Sequence, residues 1–152
     1  MAGQVKLSPR LAGISGEYYV AAELSRRGYI ASVTLRNTEG IDILASTTDS
    51  SRMLAIQVKT RQDAPRDWRL DIAAETHCSD HLFYIFLNLK EAGKRPDFFI
   101  VPSQIVAQFA RDYHHTWLTT LGKKGQQHRD NPMRKFLDKE GKFLERWDLL
   151  SL

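Results

Sequence analysis

Gly40-Ile41-Asp42-Ile43 opens one run of β-forming residues and Ala55-Ile56-Gln57-Val58-Lys59-Thr60 forms a second, with Gln57 fifteen positions after Asp42. Side chains alternate along a strand, so Gln57 and Lys59 share one face while Ile56 and Val58 share the other. The second run is therefore apolar on one side and holds an amide beside an ammonium on the other. Between the runs lies the polar stretch Thr47-Thr48-Asp49-Ser50-Ser51-Arg52. A short polar turn between two strands makes them an antiparallel hairpin, predicted over 41–45 and 53–60. Asp42 and Lys59 then lie near the same end of it.

Upstream, residues 14–28 repeat Val20, Ala21 and Leu24 at helical spacing and end at Gly28, a residue suited to stopping a helix. Glu17 falls on that stripe, whereas Glu23 shares the opposite side with Tyr19, Arg26 and Arg27. A carboxylate turned inward needs a partner such as a metal ion or a lysine. At the stripe's edge near the helix N-terminus it is simply favoured by the macrodipole. Both readings of Glu17 stand at this point. Further strands are predicted over 29–35, around 68–72, and over 81–89 and 98–101, with a turn at 37–40. Ser103 is placed to cap a second helix running through Ile105, Val106, Phe109 and Ala110 toward Tyr113. Residues 136–150 return to apolar side chains that suit a final short element. Helices flank a sheet, which is an α/β pattern.

A chain of 152 residues, 42% hydrophobic and 26% charged, fits one globular domain over 1–152. No apolar run approaches the roughly 20 residues that span a bilayer, and residues 1–13 hold no continuous hydrophobic segment. The expectation is a cytoplasmic protein with no membrane partner. Its one cysteine, Cys78, has no second thiol to pair with and lacks the spacing of a structural zinc site. A net charge of +4 and a pI of about 9.3 favour a polyanionic partner. The basic residues crowd the C-terminal third, at Lys123, Lys124, Arg129, Arg134, Lys135, Lys139 and Lys142. Residues 122–135 read as a mobile basic loop.

Cleaving a phosphodiester with water calls for a hard divalent cation that activates the water and neutralises the phosphate. Such a cation takes oxygen ligands. Asp42 and Glu17 offer carboxylates, Gln57 an amide oxygen, and Val58 its backbone carbonyl. Lys59 would face the scissile phosphate and stabilise charge developing there.

These residues carry a resemblance. Gly16-Glu17 on a first helix, Gly28-Tyr29 at its end, Gly40-Ile41-Asp42 opening a strand and Gln57-Val58-Lys59-Thr60 on the next resemble the PD-(D/E)XK nuclease superfamily over about the first sixty residues. The closest likeness within it is to small bacterial endonuclease-like proteins carrying Gln-x-Lys. The resemblance implies a restriction-endonuclease-like core with a central mixed sheet flanked by helices. It also implies catalytic roles for Glu17, Asp42, Gln57 and Lys59, the cofactor Mg²⁺ with Mn²⁺ as substitute, and DNA as substrate. Two departures stand out: Ile41 replaces the proline of the family name, and Gln57 replaces the usual acid. The second removes a negative charge from the metal cage, so Glu17 must compensate or the cation binds less tightly. One such site cuts one strand, so a double-strand cut implies a homodimer or successive nicks.

The rival expectation is a catalytically silent module of the same fold that binds nucleic acid or a protein partner. Thr60, Arg61 and Arg66 follow the catalytic strand and are candidate phosphate contacts, as are Lys123, Lys124 and Arg129 in the basic loop. His114 and His115 are expected at the surface or a helix end, and His77, Cys78 and His81 in ordinary packing. Trp68, Trp117 and Trp147 are expected to anchor the core rather than stack on bases.

Overall fold

The structure, a computed structural model, describes residues 5–35, 38–63 and 65–151. The turn expected at 37–40 begins at Asn37, outside the described residues. Helix α1 spans Pro9–Arg26, starting earlier than the apolar spacing suggested. Ser8 caps it, its hydroxyl accepting from the Leu11 N–H at 3.2 Å, and Pro9 occupies the first turn, where a missing N–H costs nothing. Its end is the one read from Gly28. That glycine has φ +91°, and the Gly28 and Tyr29 N–H groups close back on the Ser25 and Leu24 carbonyls at 3.1 Å each.

Among the described residues seven strands follow: β1 Ile30–Val33, β2 Ile43–Ser46, β3 Met53–Gln62, β4 Asp67–Asp71, β5 Leu82–Leu89, β6 Asp97–Pro102 and β7 Met133–Leu137. Helix α2, Ser103–Thr119, lies between β6 and β7, and short 3-10 turns occupy Ile72–Glu75 and Trp147–Leu150. The main sheet has the order β1-β2-β3-β5-β6. Its pairs are antiparallel except β3 with β5, so the sheet is mixed, and β2–β3 is the expected hairpin.

Every residue of β5 is buried, because the strand is covered on both faces. Phe83, Ile85 and Leu87 pack with Val20 and Leu24 of α1, while Tyr84 and Phe86 pack with Val106 of α2 and with Trp68 and Phe136. The latter two come from a second, two-stranded sheet of β4 and β7. Sequence reading did not foresee that pairing, and Arg134 and Lys135 belong to β7 rather than to the loop assigned to 122–135. On α2 the inward residues are Ser103, Val106, Ala107, Ala110 and His114, while Ile105 is exposed. Ser103 is not a helix cap. Its buried hydroxyl donates to the Ser79 carbonyl at 2.9 Å and accepts the Ser79 N–H at 3.0 Å, a tertiary pair that outcompetes the local role.

Candidate active site

The chain bends at Asp42. Its N–H donates to the Ile56 carbonyl of β3 at 2.8 Å, while its carbonyl accepts from the Thr34 N–H beyond β1 at 2.9 Å. Held from both sides, the residue places its carboxylate at the edge of β3, where Oδ2 accepts the Val58 N–H at 2.6 Å. This bond fixes more than the acid. The Ala55 N–H donates to the β5 side, at His81, so alternation turns the backbone groups of Ile56 and Val58 toward Asp42. The Val58 carbonyl thus lies on the edge of β3 that Asp42 occupies.

Burial pushes the Asp42 carboxyl above the ordinary carboxylate range, opposed by the Val58 N–H and by the charge of Lys59. The acid, the peptide and the lysine are therefore electrostatically one unit. Among the described residues neither the Gln57 amide nor the Lys59 ammonium makes a hydrogen bond, and Asp42 Oδ1 accepts none. These are oxygen and ammonium groups left available to a ligand.

Gln57 and Lys59 line a cleft of about 620 Å³, together with Gly40, Asp71, His77 and Tyr84. The cleft opens on the sheet face away from α1, since Ile56 and Val58 pack toward that helix. Glu17 is half-buried on α1. The buried residues of the helix are Ala12, Gly16, Val20 and Leu24, which puts Glu17 at the margin of the stripe. Its neighbour Gly16 meets Thr60 of β3, so the glutamate stands by the strand end that follows Lys59 but on the other side of the sheet from the cleft.

The outlying candidates separate. Thr60 buries its hydroxyl against Gly16, which makes it a helix-packing residue rather than a phosphate contact. Arg61 forms an ion pair with Asp67, and Arg66 lies over the Phe99 ring at 5.4 Å. Lys123, Lys124 and Arg129 are exposed between α2 and β7. Trp68 and Trp147 are buried as expected, while Trp117 is half-buried and stacks on His128 at 4.1 Å. His115 is exposed, but His114 is buried and its Nε2 meets Asp130 Oδ1 at 2.7 Å. His77, Cys78 and His81 are exposed instead of packed, and His77 lines the cleft.

No protein-family model and no curated protein matches this chain. Among solved structures it is similar to the bacterial homing endonuclease I-Ssp6803I, with TM-score 0.55 over 95% of this chain and 92% of that one at 13% identity. The two chains share a fold. A looser likeness joins it to Hjc, a Holliday junction resolvase from Archaeoglobus fulgidus, with TM-score 0.49 over 83% of this chain and 84% of that one at 16% identity. Within this fold, sequence reading missed several residues of the cleft, Asp71, His77 and Tyr84 among them. Period-2 alternation along β5 assigns Tyr84 a face, but only the parallel register that pairs it with Gln57 shows that the face is the one carrying the site. Among the described residues no helix is long and apolar enough to cross a membrane.

Proposed function

We propose that this chain is a divalent-metal-dependent endonuclease that hydrolyses phosphodiester bonds in DNA, with Mg²⁺ as the working cation and Mn²⁺ as a substitute. The observation that carries this reading is the Asp42 carboxylate on the Val58 N–H at 2.6 Å, which sets an acid, an amide and an ammonium around one strand edge. The donors on offer fit a hard cation: Asp42 Oδ1, the Gln57 amide oxygen and the Val58 carbonyl are all oxygens, and the two side-chain atoms have no competing hydrogen bond among the described residues. Glu17, on the α1 side of the sheet, would add its charge through water. A divalent cation held there would supply charge neutralisation at the phosphate and activation of a water. Lys59 would orient an attacking water and stabilise the negative charge gathering on the phosphate oxygens. Similarity in fold to a homing endonuclease supports DNA as the substrate. A double-strand cut would take a second copy of the chain or two successive nicks.

One observation favours a second reading, a silent module that binds nucleic acid without cutting it. Among the described residues no three His, Cys, Asp or Glu side chains gather as a metal site. Titrating the protein with Mn²⁺ by calorimetry, beside Asp42→Asn, separates the two. Binding that disappears in the variant supports the enzyme; a folded wild type that takes up no cation and cuts no DNA supports the module.

A further inference from the structure

We propose that Tyr84 is a further substrate-contacting residue of this site, its hydroxyl donating from the floor of the cleft to a non-bridging oxygen of the bound phosphodiester, with His77 forming the facing wall. The inference rests on the nuclease reading above and extends it to residues outside the Asp42–Gln57–Lys59 group.

Tyr84 is 2% exposed, yet it lines the cleft and its hydroxyl has no hydrogen-bond partner among the described residues. The ring is buried, but the hydroxyl oxygen is not one of the buried atoms that lack a partner, so it opens on the cleft. Here the ring is locked by stacking on Phe86, with centroids 5.5 Å apart and planes 13° from parallel. Tyr84 is also the cross-strand partner of Gln57, so its ring adjoins the amide that helps form the site. A phenol hydroxyl carries one O–H donor and so can approach an anionic oxygen.

The backbone of the facing wall is anchored too. The His77 ring lies so close to Gly40 that a Cβ added to the glycine would fall 2.8 Å from Nδ1. The His77 N–H donates to the Ala73 carbonyl at 2.8 Å, and the turn carrying both is anchored where Arg134 Nε donates to Glu75 Oε1 at 2.5 Å. A donor held in place before substrate arrives needs no reorganisation when charge develops, which is the condition for effective transition-state stabilisation.

Tyr84→Phe tests this by removing one oxygen while keeping the stacked ring. At saturating Mg²⁺ on a labelled duplex we expect kcat to fall about 10-fold or more and KM to rise by a smaller factor, since the donor already touches the bound phosphodiester and strengthens as charge develops on it. Thermal stability should hold, because the hydroxyl deleted opens on the cleft and bonds to no other described residue. His77→Gln should raise KM and weaken duplex binding measured by anisotropy in Ca²⁺. A Tyr84→Phe protein with wild-type kcat overturns the inference and leaves the nuclease reading intact. If the wild type binds duplex without cutting it, the enzyme reading fails, and the tyrosine contact is then judged on binding alone: weaker binding by Tyr84→Phe upholds it, equal binding overturns it. A wild type that neither cuts nor binds overturns both.

Discussion

Gly16 of α1 stands so close to Thr60 of β3 that a methyl group added to the glycine would lie 1.8 Å from the threonine hydroxyl. That hydroxyl is buried and makes no hydrogen bond. The contact sets how near α1 comes to the strand carrying Lys59, and it fixes where Glu17, the next residue along the helix, can stand.

Gly16→Ala should therefore destabilise the fold by about 1–3 kcal/mol, the usual cost of overpacking a tight contact. Thr60→Ala made in the same chain should recover most of the loss, since the two residues share one contact and their effects cannot be additive. Urea denaturation of the single and double variants measures the coupling. An unchanged midpoint in Gly16→Ala would contradict the close approach.

Asp42 links function to pH-dependent stability. Burial raises its carboxyl pKa in the fold, so the folded chain holds that proton more tightly than the unfolded one. The resulting stabilisation is fully present at pH below the unfolded value, about 3.9 for aspartate, and is lost as pH climbs through the raised folded value. Asp42→Asn removes the buried charge and keeps an oxygen to accept the Val58 N–H. The variant should match or exceed the wild type in thermal stability near neutral pH, with the difference shrinking in acid, while cleavage is lost. A variant markedly less stable than the wild type at neutral pH would show that the Lys59 charge and the Val58 bond outweigh burial.

Gln57 would set the charge of the proposed cation site. Gln57→Glu restores a carboxylate among the oxygen donors, and added ligand charge tightens binding of hard divalent cations. The Mg²⁺ concentration giving half-maximal cleavage should fall several-fold. A cleavage rate measured across Mg²⁺ concentrations checks this, and an unshifted midpoint would detach Gln57 from the metal.

What was legible in the sequence was what local periodicity encodes. Alternation along β3 grouped Gln57 with Lys59, and it also assigned Thr60 to the face of Ile56 and Val58, a signal overlooked when Thr60 was counted among phosphate contacts. Gly28 marked the end of α1, but the start at Ser8-Pro9 went unread because the apolar repeat begins later than the helix does. Ser103 has the chemistry of a helix cap, and only the proximity of Ser79 redirects its hydroxyl. The parallel pairing of β3 with β5 and the pairing of β4 with β7 join segments far apart in the chain, and no local pattern states their register. Tyr84 and His77 reach the site through such long-range packing. A reading confined to short motifs finds Asp42, Gln57 and Lys59 and stops there.

The most direct test is cleavage of supercoiled DNA by the purified chain with Mg²⁺ or Mn²⁺, beside Lys59→Ala and an EDTA control. The ammonium faces the reacting phosphate in the proposed function and forms no ion pair among the described residues, so its removal should reduce cutting by about 10²-fold or more without loss of fold. Metal-dependent nicking by the wild type that vanishes in Lys59→Ala and in EDTA is the expected result. Cleavage that persists in the folded variant, or a folded wild type inert on supercoiled, linear and branched DNA alike, would contradict the assignment of this site as a nuclease centre.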